Sequence, residues 1–172
     1  DGINWTVMNT PTIASTKRGG ALCYSPELGL FVQLIKDTVV AQQSQALISI
    51  DSSNWRLINV PGNSTTHNWN DVAWSSSLGL FAAVSGSVSD VPGSGTTNTQ
   101  MIMTSPDGQN WTLRTAIANN NTFVWESIAW SPALGRFVAV GLGANTGGRN
   151  YSMSSTDGIN WTGAITPNGT GY

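Results

Sequence analysis

The chain is short of charge and of cysteine. Charged residues make up 9% of its 172 residues, against about 25% in ordinary soluble domains. The net charge is −2, and Lys and Arg form no run, so a nucleic-acid groove or a polybasic membrane patch has no basis. Apolar runs stay well below the roughly 20 residues of a spanning helix, which gives no expectation of membrane insertion. One cysteine, Cys23, cannot make an internal disulfide. It falls where other copies of a repeat carry Ala73 and Ala129, so it reads as a small packed side chain. With a single histidine, no metal-ligand spacing exists, and one Asp per turn is too few oxygens for Ca²⁺. Gly141 to Gly148 is glycine-rich but precedes no helix that could receive a phosphate. No cofactor is implied. The sequence does not begin with Met and shows no signal peptide, which reads as a mature product or a segment of something longer.

What fills the space is Gly, Ser, Thr and Asn, with 8 Trp spread among them. That mixture favours short strands joined by polar turns over helices. One stretch recurs: Ser105-Pro106-Asp107-Gly108-Gln109-Asn110-Trp111-Thr112 and Ser155-Thr156-Asp157-Gly158-Ile159-Asn160-Trp161-Thr162. Ser49-Ile50-Asp51-Ser52-Ser53-Asn54-Trp55-Arg56 is a degraded copy, and Asp1 to Thr6, with Trp5, is the tail of another. The four aspartates are spaced by 50, 56 and 50 residues. A second marker keeps the same step: Tyr24-Ser25-Pro26-Glu27-Leu28-Gly29, Trp74-Ser75-Ser76-Ser77-Leu78-Gly79 and Trp130-Ser131-Pro132-Ala133-Leu134-Gly135. Units of about 1–50, 51–106 and 107–156 follow, with a closing strand in 157–172.

Each unit reads as four short strands, for example 70–75, 80–85, 100–104 and 110–114. The Leu-Gly turn joins the first pair and the Asp-Gly turn the second. Asp accepts backbone N–H groups across its turn, Gly takes the conformation a side chain resists, and Trp fills the space between units. Ser52, standing where Gly is wanted, predicts a turn that is more strained or of another type. Tandem four-stranded units of this length make a β-propeller, so the expected fold is all-β, with three blades plus an outer strand at 1–7. Three blades are too few for a closed ring of about 4 to 8. The chain is then a slice of a longer polypeptide, an open arc, or one of several copies completing a ring with other blades.

The recurring stretch resembles the Asp box, or BNR repeat, of sialidase-like propellers. The usual box is Ser-x-Asp-x-Gly-x-x-Trp, and these copies are one residue shorter between Asp and Trp. The resemblance implies that the box is a fold element away from the active site. For a sialidase it further implies three arginines on a carboxylate, a Tyr–Glu nucleophile pair and an Asp acid. Arg18, Arg56, Arg114, Arg136 and Arg149 do not fall into that pattern. Glu27 lies in a turn and Tyr24 in the core. The expectation is therefore a non-catalytic structural or recognition module rather than an enzyme. The alternatives are a fragment of a sialidase-like glycoside hydrolase, or an interaction scaffold without a sugar ligand. The composition also resembles phage tail-fibre and adhesion proteins, implying an extracellular or virion surface and a glycan or protein receptor. Candidate binding residues are His67, Trp69, Trp125 and Arg149 in or beside the variable loops, where an exposed indole could stack on a sugar.

Overall fold

A computed structural model describes residues 3–7, 10–13, 15–37, 43–63, 68–86, 101–116, 123–143 and 150–165. They form twelve strands and, among the described residues, no helix. Strands β1 (Lys17–Ser25), β2 (Leu30–Asp37), β3 (Gln43–Ser49) and β4 (Arg56–Asn63) make the first antiparallel sheet. The second holds β5 (Asn68–Ser75), β6 (Leu80–Gly86), β7 (Ile102–Ser105) and β8 (Thr112–Arg114). The third holds β9 (Phe123–Ser131), β10 (Arg136–Gly143), β11 (Asn150–Ser155) and β12 (Thr162–Ile165). Each strand pairs with its neighbours in sequence, so each sheet is one meandering propeller blade.

The core lies between blades, not within them. Along β6, Phe81 and Ala83 face the first blade while Ala82 and Val84 face the third. This period of two, apolar on both faces, is what a sheet buried on both sides requires. One cluster joins Val32, Leu34 and Ile48 of the first blade to Trp69, Phe81 and Met103 of the second. The other joins Ala82, Val84 and Ile102 to Trp125, Phe137 and Trp161 of the third.

Two local turns repeat through the blades. Ser25, Ser75 and Ser131 each accept the N–H three residues on, from Leu28, Leu78 and Leu134, at 3.2, 3.2 and 3.3 Å. In the Asp turn, Asp107 Oδ1 accepts from Gln109 N at 2.8 Å and Asn110 N at 2.7 Å. Asn110 Nδ2 donates to Asp107 Oδ2 at 2.7 Å, and Trp111 Nε1 donates to Gly108 O at 3.0 Å. Asp157 and Asp51 repeat the arrangement with Asn160 and Trp161, and with Asn54 and Trp55. Partial burial pushes the Asp107 carboxyl up, but the N–H of Asn110, its amide, the N–H of Gln109 and the Ser105 hydroxyl outweigh it. Its pKa is held down to about 2. The N–H and amide of Asn160, and of Asn54, lower Asp157 and Asp51 in the same way.

Gly108 and Gly158 sit at φ 69° and 73°. A Cβ on Gly108 would meet Leu30 Cδ2 of the first blade at 2.5 Å; one on Gly158 would meet Leu80 Cδ2 of the second at 2.7 Å. Glycine therefore answers both to the turn and to the preceding blade. Ser52 holds the same turn at φ 62°, the strain expected of it.

Trp5 corrects the expectation for the opening segment. Residues 3–7 form no strand, and Trp5 is 88% exposed; Asp1 lies outside the described residues. Trp161 is buried, and Trp111 and Trp55 are half-buried.

Candidate functional site

Strand direction sorts the connections into two ends. The Leu-Gly and Asp turns share one end of every blade. The loops joining second to third strands, and each blade to the next, share the other. Differences between blades collect at this loop end. His67 and Arg149 lie outside the described residues.

The described part of the loop end is the rim where β1, β5 and β9 begin. These first strands lie side by side, β1 next to β5 and β5 next to β9, and so line the inner edge of the arc. Each first strand is bulged at the rim, β1 between Gly19 and Leu22, and the bulges of β5 and β9 carry polar residues. Trp69 pairs with Ser85 and Asp71 with Val84, so Asn70 is the extra residue. Trp125 pairs with Gly141 and Ser127 with Val140, so Glu126 is the extra residue. A bulge re-aims side chains, and bulges gather beside active sites. Gly141 permits the one in β9: a Cβ there would run into Val124 O and meet Trp125 Cα at 2.9 Å.

The bulges also decide the fate of the two tryptophans. Trp69 is 1% and Trp125 0% exposed, and Trp69 Nε1 donates to Pro61 O at 3.0 Å. Both rings belong to the inter-blade clusters, so neither is open to stack on a sugar, which corrects the expectation for these two positions. What the bulges present instead is polar. Asn70 Nδ2 donates to Trp125 O of the next blade at 2.8 Å. Asp71 Oδ2 accepts from Ser127 Oγ at 2.6 Å and Ile128 N at 2.9 Å, and Oδ1 accepts from Val72 N at 2.9 Å. Asp71 is thus a carboxylate fixed in orientation across a blade boundary. Glu126, one strand over, is exposed. Lys17 Nζ donates to Gln43 O at 3.1 Å, and Arg18 beside it is exposed.

Sequence reasoning did not single out Asp71. Its signal was position: the other repeats carry Ala21 and Ser127 there, so the carboxylate is not a requirement of the blade. Among the described residues no three His, Cys, Asp or Glu side chains converge as a metal site.

Together these features define a three-bladed arc of a β-propeller with a bulged, polar inner rim. No family model matches the chain, and no curated protein matches it in sequence. Solved structures do. The chain is similar to the Bombyx mori GH32 β-fructofuranosidase BmSUC1, with TM-score 0.55 and 15% identity over 86% of this chain and 34% of that one. A sucrose complex of a variant of that enzyme gives TM-score 0.53 and 15% identity over 84% and 35%. The GH43 β-1,3-galactosidase BT0265 gives TM-score 0.39 and 15% identity over 85% and 45%. The chain spans about a third of the length of the first two. The likeness carries the propeller fold. The two solved propellers with the higher TM-scores are glycoside hydrolases, which stands against the expectation of a non-enzyme.

Proposed function

We propose that the chain is a propeller arc of a glycoside-hydrolase-like protein, with a carbohydrate held at the loop end of the inner rim. The observation that carries this is the pair of bulges in β5 and β9. They place the fixed Asp71 carboxylate and the open Glu126 carboxylate on adjacent strands, with Asn68 and Asn70 beside them. Carboxylates and amides are the groups that bind sugar hydroxyls, and two carboxyl groups are the usual minimum for cleaving a glycosidic bond. The fold likeness to a fructofuranosidase supports the same substrate class. Under this reading the Asp turns are Asp-box-like elements with a structural role. They lie at the opposite end of each blade, and every hydrogen bond of their carboxylates given above stays within the turn.

The test is turnover by the intact protein on sucrose, fructo-oligosaccharides and a panel of chromogenic glycosides, beside a glycan-binding measurement. Release of sugar that falls at least tenfold in Glu126→Gln, with an unchanged melting temperature, supports the reading. Capture of a glycan with no cleavage points to a receptor-binding module and contradicts it, as does silence in both assays.

A further inference from the structure

One cross-strand pair near the loop end recurs in every blade. In the second blade it is Asn68 opposite Gly86, in the third Val124 opposite Leu142, and in the first Arg18 opposite Lys36. Like charges directly opposite each other on antiparallel strands are destabilising. The blade does not require them, because an uncharged pair stands at the same place twice. Lys17 and Asp37, the next pair along, fall on the other face of the sheet. Among the described residues neither Arg18 nor Lys36 has an ion-pair partner.

Strand alternation aims the two cations at the boundary with the second blade. Leu34, two residues before Lys36 on β2, is buried in the cluster that joins the first blade to Trp69 of the second. Lys36 and its partner Arg18 share that face. A Cβ on Gly20 would meet Lys36 Cγ at 3.4 Å, so the lysine stem runs beside the inner strand. The counterparts of Gly20 are Asn70 and Glu126, and side chains of that size would crowd the stem.

The equivalent boundary between the second and third blades is closed by carbon: a Cβ on Gly86 would meet Val124 Cγ1 at 2.7 Å. One blade back, Lys36 stands for Gly86 and Asn68 for Val124. An apolar seal is thus replaced by two cations and an amide: Arg18, Lys36 and Asn68. The loop end is divided in charge as a result. These cations lie on the first-blade side. Asp71, bonded to Ser127 and Ile128, and Glu126 lie towards the third.

We propose that the loop end of the boundary between the first and second blades is a subsite for an anionic group on the bound carbohydrate, a carboxylate or a sulfate ester. The Arg18 guanidinium offers paired hydrogen bonds to two oxygens of such a group, and the Lys36 ammonium a compact point charge. Asn68 adds an amide donor. An anion between the cations also relieves their mutual repulsion, so a pair that weakens the empty blade favours the occupied one. The inference rests on the carbohydrate reading of the rim and sharpens it: the ligand is an acidic or sulfated glycan rather than a neutral one.

Calorimetric titration of the intact chain tests it, with matched glycans as probes: oligogalacturonate against its methyl ester, and a sulfated galactan against its desulfated form, with inorganic sulfate alongside. The charged member of one pair should bind at least tenfold tighter than its neutral partner, and which pair responds tells carboxylate from sulfate. The preference should vanish in Arg18→Gln and in Lys36→Gln, shrink as salt is raised, and persist in Arg136→Gln at the turn end. Each of the first two variants should also raise the ligand-free melting temperature by about 1–2 °C at low salt, because a like-charge pair is removed. Equal binding of charged and neutral glycans, a preference that survives both substitutions, or a fall in melting temperature overturns the subsite and leaves the carbohydrate reading standing. Binding of inorganic sulfate that both substitutions abolish, with no glycan held, supports the subsite and counts against the carbohydrate reading. Silence towards every anion and every glycan overturns both.

Discussion

Trp74 of the second blade donates its indole N–H to Glu27 Oε2 of the first at 2.7 Å, closing a polar contact across the blade boundary. Trp130, the same residue one blade on, has a buried Nε1 with no hydrogen-bond partner. The repeat explains the difference: the counterpart of Glu27 is Ser77, too short to reach, and its hydroxyl lies 3.5 Å from that of Ser75.

Ser77→Glu should supply the missing acceptor. An orphaned buried donor costs about 1–3 kcal/mol, and an exposed carboxylate recovers part of this, giving a gain of about 1 kcal/mol. For a chain of this length that raises the melting temperature by roughly 2–4 °C. Glu27→Ala should lower it by a similar amount. Differential scanning fluorimetry of the two variants checks both signs; a destabilising Ser77→Glu contradicts the pairing.

The Asp turns predict opposite effects at two equivalent positions. Ser52→Gly relieves a left-handed φ on a residue that meets no preceding blade, so it should stabilise by about 1 kcal/mol. Gly108→Ala adds the left-handed strain and drives a Cβ toward Leu30 and Val32, so it should destabilise by about 2 kcal/mol or more. Urea titration of each variant measures the pair. Equal signs would show that the turn, not the neighbouring blade, decides.

Acid sensitivity follows from the same turns. Asp51, Asp107 and Asp157 have folded pKa values below the unfolded value of about 3.9, with Asp107 at about 2. A depressed carboxylate contributes stability that is complete above its unfolded pKa and is lost as pH falls through the folded one. Melting temperature should therefore be level down to about pH 5, drop from about pH 4 towards 2, and drop less steeply in Asp107→Asn. A loss that begins above pH 5, or a level curve to pH 2, contradicts the assignment.

Legibility in the sequence tracks how local each feature is. The Asp and Leu-Gly turns are set by residues within six positions of each other, so their repetition exposed the blades, their four strands and the strain at Ser52. The rim is not local. Whether Trp69 and Trp125 face water depends on which residue is skipped in pairing with β6 and β10, and that register is fixed by partners such as Ser85 and Gly141. The same skip carries Asn70 and Glu126 to the rim. Trp5 has the right neighbours in sequence yet is 88% exposed, an outcome that no local motif announces. The likeness to solved propellers was hidden for another reason: it resides in the arrangement of blades, at 15% identity.

The central claim is that the Asp turns of the second and third blades pin their tryptophans against the preceding blade, and that these contacts hold the arc together. Urea unfolding of four alanine variants tests it most directly. Trp161→Ala should cost about 3–5 kcal/mol, Trp111→Ala and Trp55→Ala about 1–3, and Trp5→Ala less than about 0.5. Four equal losses, or a Trp161→Ala variant as stable as the parent chain, would contradict it.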